Sequence, residues 1–250
     1  MNVLAQVFDH IRRAAPRPVR VALQPDGRYL WVGNAASDSS SDGVTVIDIE
    51  SLKPVASIAT GSGHHEIAFS PDSRYAFVTN RDSGTLSIID VAELRKAKDL
   101  PIGGQPLDVA YSKLSGAAYV VDGQAGSVTV IDGENHRVRN VIEGSSGLGP
   151  IGFSADGRWA MVLNTVDSQV LVIDTADAKI LHRLDVTDQP YQVEFTPSYA
   201  YIRGLGSSTV TMINLASIGR ETKPIVQGFD AGRASPGLAG NLPIAQSMAP

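Results

Sequence analysis

Short runs of β-branched and aromatic residues alternate with turn residues along most of the chain, and these runs recur with a fixed period. One run ends in an acid or an amide five times, at Asp48, Asp90, Asp132, Asp174 and Asn214. The steps between these positions are 42, 42, 42 and 40 residues. A period between about 20 and 50 residues is typical of repeat proteins, in which each repeat packs on its neighbours.

Each repeat predicts four strands and leaves no room for a helix. In the second repeat the strands are predicted over Glu66–Ser70, Arg74–Thr79, Thr85–Ile89 and Ala97–Ile102. Residues that tolerate positive φ angles, such as the Pro-Asp-Gly at 25–27, join the first two strands. We therefore predict an all-β fold, a β-propeller of four-stranded antiparallel blades, with five repeats of about 42 residues.

The five repeats are predicted over residues 17–61, 62–103, 104–144, 145–188 and 189–228. Residues 1–16 do not fit a repeat. Their apolar positions suit either a helix or an outer strand that closes another blade, and we favour the strand. Residues 229–250 form a Gly/Pro-rich tail that ends like the start of a further repeat, at 243–250. Such ends predict an incomplete ring or part of a larger propeller of about seven blades, unless they pair to seal a smaller ring.

Short motifs recur at matching positions of the repeats. Trp31-Val32-Gly33-Asn34 and Phe77-Val78-Thr79-Asn80 occupy second strands, Ser-Pro-Asp occupies a turn at 70–72, and Val-Ile-Asp ends third strands. Through these motifs the chain resembles the YVTN family of β-propellers over about residues 17–228. The resemblance implies a propeller fold and a periplasmic or extracellular location, although residues 1–18 lack the features of a signal peptide. It implies no single activity, because the fold serves many.

Composition and charge exclude several classes of partner and chemistry. Hydrophobic residues make up 43% of the 250 residues, which is enough for the core of one large domain. A net charge of −5 with scattered Lys and Arg argues against nucleic acid as a partner, and no apolar run is long enough to span a membrane. The lack of cysteine excludes disulfides, thiol catalysis and thiolate metal sites.

Alignment of the repeats places a ring of polar residues where the first strands enter the central channel. In each repeat the loop before the first strand and the loop between the second and third strands lie on one face, which is the usual binding face of the fold. The predicted binding residues at this mouth are Arg20, His64, His65, Glu66, Asn80, Arg81, Asp108 and Gln192. Glu66 and Asp108 occupy equivalent positions on adjacent blades and are able to act as a carboxylate pair, but such residues more often solvate the channel mouth, where Arg20 would neutralise them.

His64 and His65 are the candidate metal ligands, since two imidazoles at the entrance to an inner strand are able to bind a transition metal. The pair is similar to the paired histidines at the propeller mouth of nitrous-oxide-reductase-like copper enzymes. Those sites collect histidines from several blades, whereas the matching positions here hold Pro, Val, Leu, Gly and Tyr. Adjacent strand residues also point to opposite faces, so we favour a hydrogen-bonded structural pair and keep copper as the alternative.

The sequence contains no nucleophile elbow, phosphate-binding Gly loop or dinucleotide fingerprint. It therefore predicts a non-catalytic binding or scaffold module, without a cofactor, that presents the channel-mouth loops to a protein or a small ligand. The alternative is the propeller domain of a periplasmic redox enzyme, with copper on His64 and His65 or with haem as in dissimilatory nitrite reductases. Missing blades of the same protein are a further expected partner.

Overall fold

The computed structural model describes residues 17–35, 42–220, 224 and 226–230. This part of the chain folds into five sheets, each built from four consecutive antiparallel strands. The predicted all-β propeller fold of four-stranded antiparallel blades is therefore confirmed. The expectations for residues 1–16 and for the further repeat at 243–250 lie outside the described residues.

We number the blades 1 to 5 in chain order. Blade 1 contains β1 (Pro18–Leu23), β2 (Tyr29–Asn34), β3 (Gly43–Asp48) and β4 (Lys53–Ala59). Blade 2 contains β5 (Ile67–Phe69), β6 (Tyr75–Asn80), β7 (Thr85–Asp90) and β8 (Arg95–Pro101). Blade 3 contains β9 (Pro106–Ser112), β10 (Ala117–Asp122), β11 (Ser127–Asp132) and β12 (Val138–Glu143). Blade 4 contains β13 (Leu148–Phe153), β14 (Trp159–Asn164), β15 (Gln169–Asp174) and β16 (Lys179–Asp185). Blade 5 contains β17 (Pro190–Phe195), β18 (Tyr199–Gly204), β19 (Thr209–Asn214) and β20 (Val226–Asp230), with one turn of 3-10 helix at Leu215–Ser217.

The first and last strands of blade 2 differ from the predicted ranges. The first strand is shorter because the Glu66 N–H is taken by the Thr79 hydroxyl, at 2.8 Å, instead of joining the sheet. The last strand begins earlier, at Arg95, because the pairing register between β7 and β8 shifts at Ile88 and Ile89 and then continues to Arg95. Both differences come from local hydrogen bonding, which the hydrophobic pattern does not encode.

The core lies between the blades, where an aromatic ring on the second strand of one blade packs against a ring on the first strand of the next. Ring centroids are 5.4 Å apart for Trp31 and Phe69, 5.5 Å for Phe77 and Tyr111, and 5.3 Å for Tyr119 and Phe153. Offset and edge-to-face ring pairs at such distances stabilise beyond the area that they bury. The same contact therefore recurs along the array and sets the spacing of the inner strands.

The repeated acid at the end of each third strand is a turn cap. In each of the first four blades its Oδ1 atom accepts an N–H from a residue two or three positions ahead, and Asn214 does the same in blade 5. These acids are Asp48, Asp90, Asp132 and Asp174. Asp and Asn side chains commonly accept such bonds from the backbone that follows them. Their regular spacing thus reflects turn geometry and carries no chemistry.

The blades contact one another in chain order, from blade 1 to blade 5. Over the residues that the structure describes, the ring is not closed between blade 5 and blade 1. No helix within those ranges is both long and apolar enough to cross a membrane. Because consecutive blades pack side by side, their first strands converge on one channel, and the loops that enter these strands share one face of the array. These inner strands are β1, β5, β9, β13 and β17.

Candidate binding site at the channel mouth

A cavity of about 460 Å³ lies at the mouth of the channel. Every blade contributes to its wall, through the first strand or the residues that lead into it. The structure brings together six of the eight predicted binding residues here, namely Arg20, His64, Glu66, Arg81, Asp108 and Gln192. The remaining wall is formed by Leu107, Gly149, Pro150 and Tyr191. The predicted residues His65 and Asn80 do not line this cavity.

Glu66 is held from two sides. Its Oε2 atom lies 2.9 Å from Nε of Arg20 in blade 1, and its Oε1 atom lies 3.2 Å from Nε2 of His64 in its own blade. The Glu66 side chain is only 18% exposed, whereas that of Arg20 is 48% exposed. The ion pair therefore connects two neighbouring blades, while the Arg20 side chain lines the cavity and stays about half exposed.

Asp108 connects blades 3 and 4. Its Oδ2 atom accepts the Ile151 N–H at 3.0 Å, and its Oδ1 atom accepts the Val109 N–H at 2.7 Å. The pKa of Asp108 is raised to about 6, mainly by burial and also by the negative charge of Glu66, although the two N–H bonds and Arg20 oppose the rise. The mouth therefore contains a carboxyl group that titrates close to neutral pH.

Arg81 lies in the loop between β6 and β7 and is exposed. Its nearest hydrogen-bonding partner is Oε1 of Gln105, which lies 3.5 Å from Nη2, at the outer limit of a hydrogen bond. Blades 3, 4 and 5 contribute the uncharged residues Leu107, Pro150 and Tyr191, of which Tyr191 is 52% exposed. The cavity thus combines guanidinium groups from blades 1 and 2 with apolar and aromatic surface from blades 3 to 5.

His65 points away from the cavity and is completely buried between blades 1 and 2. Its Nδ1 atom donates to the Thr79 carbonyl at 2.8 Å, and a Cβ built on Gly33 of blade 1 would lie 3.1 Å from its Cβ. Burial lowers the pKa of His65, so the ring is held neutral at this position. His64, by contrast, bonds Glu66 at the mouth, so the two rings do not face a common space.

The difference between His65 and its counterparts in other blades follows from the local register. Leu107, Gly149 and Tyr191 align with His65, and all three line the cavity. In blades 1, 3, 4 and 5 the pairing of the first two strands is interrupted by a bulge near the mouth, whereas the pairing of β5 with β6 begins only at Ile67 and does not include His65. A bulge re-aims the side chains that precede it. The same alignment of the repeats that predicted the polar ring could have identified these wall residues. The sequence analysis missed them because it selected only polar and charged side chains.

Asn80 is a structural residue of blade 2. It is completely buried, and its Nδ2 atom donates to the hydroxyls of Thr85 and Ser87, at 2.9 Å in both cases. These bonds tie the end of β6 to β7. Within the described ranges, no group of three or more His, Cys, Asp or Glu side chains is arranged to hold a metal ion.

Comparison with solved structures shows the fold shared with several proteins. Hydrazine synthase of Kuenenia stuttgartiensis is 19% identical with a TM-score of 0.61, and the match covers 81% of this chain and 78% of that chain. The beta-propeller domain of Cps50 from Myceliophteria thermophila is 11% identical with a TM-score of 0.68, covering 86% and 71%. A functionally unknown protein from Desulfotomaculum acetoxidans is 18% identical with a TM-score of 0.67, covering 79% and 65%. These similarities show the fold alone.

No curated protein matches the chain significantly. The family described as YNCE-like beta-propeller matches residues 2–155, which is more than half of the 250 residues. The matched part includes blades 1 to 3 and therefore Arg20, Glu66 and Asp108 at the mouth. The chain belongs to the YNCE-like beta-propeller family.

Proposed function

We propose that the protein is a non-catalytic binding module whose channel-mouth cavity holds a small molecule or a side chain of a protein partner. The observation that carries this proposal is the joint construction of one cavity by all five blades. Concave sites with mostly apolar walls and a few convergent polar groups are the usual binding sites of folded proteins. The propeller then serves as a rigid frame for groups that are distant in the sequence.

The contacts of the charged groups favour binding over catalysis. The oxygens of Glu66 and Asp108 already accept hydrogen bonds from protein donors, so both carboxylates brace the wall. The lining residues include no serine, threonine or cysteine that could act as a nucleophile. The cavity is thus equipped with recognition groups, and its lining residues offer no serine or threonine hydroxyl and no thiol for covalent chemistry.

Filling the cavity should abolish ligand binding without unfolding the protein. A Cβ at Gly149 would lie 3.7 Å from the Leu163 carbonyl oxygen and 3.8 Å from Cγ2 of Thr165, which are ordinary contacts. We therefore expect Gly149→Phe to occupy the mouth from blade 4. Nuclear magnetic resonance titration of the full chain with a set of small acids, amides, amines and neutral aromatics should shift mouth resonances in the wild type and not in the variant.

The matched control is Ala155→Phe, which adds the same ring to an exposed turn at the other end of blade 4. This control should bind fragments as the wild type does. Gln192→Trp, at an exposed mouth position, serves as a second blocking variant if Gly149→Phe loses its circular dichroism signal. Mouth resonances that no fragment shifts in the wild type, or that shift equally in both blocking variants, would overturn the proposal.

Copper binding by the histidine pair, or haem binding as in dissimilatory nitrite reductases, stays a prediction. The proposed binding function makes a different prediction, since His64 and His65 engage separate partners. Elemental analysis of purified full chain, after incubation with copper and removal of the excess, should give well below one metal per chain. His64→Ala should leave that content unchanged. A stoichiometric metal content that falls in His64→Ala would favour the enzyme.

A further inference from the structure

The hydrogen-bonding capacity that remains open at the mouth is mainly that of donors. The Glu66 and Asp108 oxygens each have a protein donor, whereas Arg20 uses only its Nε atom among the described residues. Within the same part of the chain, the Arg81 side chain has a single weak hydrogen bond, at 3.5 Å. A guanidinium has five N–H donors in a planar fork that matches a carboxylate. Most of the unused polar groups of the cavity therefore suit an anion.

The charge of the wall favours one negative charge over two. Arg20 and Arg81 are offset by Glu66 and Asp108, so the four groups carry no net charge when all are ionised. A dianion such as a phosphate monoester would meet both carboxylates in a partly desolvated cavity, where repulsion between like charges is strong. A monoanion is able to pair with the open guanidinium groups at a smaller cost.

The uncharged wall adds a second requirement. Leu107, Pro150 and Tyr191 come from blades 3, 4 and 5, whereas Arg20 and Arg81 come from blades 1 and 2. Tyr191 is half exposed, and covering its ring with an apolar group would be favourable. A ligand that satisfies both sides has an apolar or aromatic body and one anionic head.

Building on the proposed binding function, we infer that the mouth cavity binds a monoanionic organic carboxylate, with its head on Arg20 and Arg81 and its apolar body on Tyr191, Leu107 and Pro150. The volume of about 460 Å³ leaves room for a small aromatic acid. The same chemistry is offered by a free metabolite and by the carboxyl terminus of a peptide that ends in an aromatic residue. Both share the carboxylate and the ring.

The test uses the full chain with 3-phenylpropanoate as the probe and 3-phenylpropanamide as its neutral counterpart. At pH 7.5 the acid should bind about tenfold more tightly than the amide, as expected for a charge-assisted pair with guanidinium. Phenyl phosphate, a dianion, should bind more weakly than the acid. A tripeptide ending in phenylalanine, compared with its C-terminal amide, distinguishes a peptide source from a free acid.

Arg81→Gln should weaken binding of the acid by about tenfold and leave binding of the amide unchanged. The control is Arg95→Gln. It removes a guanidinium of the outer strand β8 that forms an exposed ion pair with Glu93, and it should change neither the affinity for the acid nor that for the amide. Equal affinities of acid and amide, or tighter binding of phenyl phosphate, would overturn the carboxylate inference and leave the binding function standing. Failure of all compounds, including the fragment set, would remove both.

The pH dependence supplies an independent readout. Asp108 faces Glu66 and Arg20, and His64, Arg81 and Tyr191 are the other titratable groups of the wall. As the pH falls through about 6, Asp108 gains a proton and the wall loses one negative charge. The acid should therefore bind about fivefold more tightly at pH 5.5 than at pH 7.5. The difference should be clearly smaller in Asp108→Asn than in the wild type, and an unchanged difference in the variant would contradict the inference.

Discussion

Replacement of Trp31 by alanine is expected to lower the free energy of unfolding by about 3–5 kcal/mol. The Trp31 side chain is completely buried at the interface of blades 1 and 2, with its ring 5.4 Å from that of Phe69. Its Nε1 atom donates to Oε1 of Gln24 at 3.0 Å. Alanine would leave a cavity the size of an indole and a buried amide without its donor, and both effects destabilise the fold.

Urea unfolding of the full chain, followed by far-ultraviolet circular dichroism, measures this loss. Fluorescence is less suitable, because the substitution removes one of two tryptophans. Trp31→Phe keeps a ring against Phe69 and loses only the hydrogen bond and part of the volume, so it should cost clearly less. A loss below about 1 kcal/mol for alanine would show that the interface of blades 1 and 2 contributes little to stability.

The same substitution distinguishes a cooperative array from independent blades. In repeat proteins each unit is stabilised mainly by its neighbours, so damage at one interface spreads to the adjoining units. Trp31 lies between the blades that carry Arg20 and Glu66, whose ion pair crosses the same interface. If Trp31→Ala stays folded but loses the ion pair between Arg20 and Glu66, blade 1 has separated from the rest of the array.

The fold was predictable from the sequence because the hydrophobic pattern is repeated five times. An irregularity in one copy, such as Leu30 where other second strands have alanine, does not alter the period. Four of the mouth residues were predictable for the same reason. Arg20, Glu66, Asp108 and Gln192 occupy one position of the repeat, and equivalent positions on inner strands face one channel.

The direction in which single side chains point was not predictable from the repeat pattern. His65 is adjacent to His64, and both precede the three-residue strand β5, so the alternation of strand side chains does not fix the direction of either ring. The hydrogen bond from the Ile151 N–H to Asp108 uses a backbone group of another blade, and every residue except proline has such a group. The sequence therefore does not predict it. Periodicity describes what the copies share, whereas the chemistry of the mouth depends on where they differ.

Asp122 differs from the asparagine found at the same position in blades 1, 2 and 4, and its carboxylate stabilises blade 3. The residue is 1% exposed, and its Oδ1 atom accepts the N–H groups of Gln124 at 2.9 Å and Ala125 at 2.7 Å. Its Oδ2 atom accepts the Gln105 N–H at 2.9 Å. One carboxylate therefore caps the turn after β10 and also fastens the segment that leads into β9.

Asp122→Ala is expected to lower the free energy of unfolding by about 3 kcal/mol, since three backbone N–H groups lose a charged acceptor. Asp122→Asn should cost less. At the equivalent position of blade 4 the Oδ1 atom of Asn164 caps the same turn, accepting the N–H groups of Val166 at 3.0 Å and Asp167 at 2.8 Å. Urea unfolding of both variants measures the difference.

The effect of Asp122→Ala should reach the mouth. Gln105, which Asp122 holds, is the contact of Arg81 and lies three residues before Asp108. Loosening this segment would disturb groups on both sides of the cavity, so binding of 3-phenylpropanoate should weaken in Asp122→Ala even under conditions where the variant is fully folded. Asp122→Asn should lose part of this affinity, because it gives up the bond to Gln105 while keeping the turn cap. Unchanged affinity in a destabilised Asp122→Ala would separate the stability of blade 3 from the shape of the mouth.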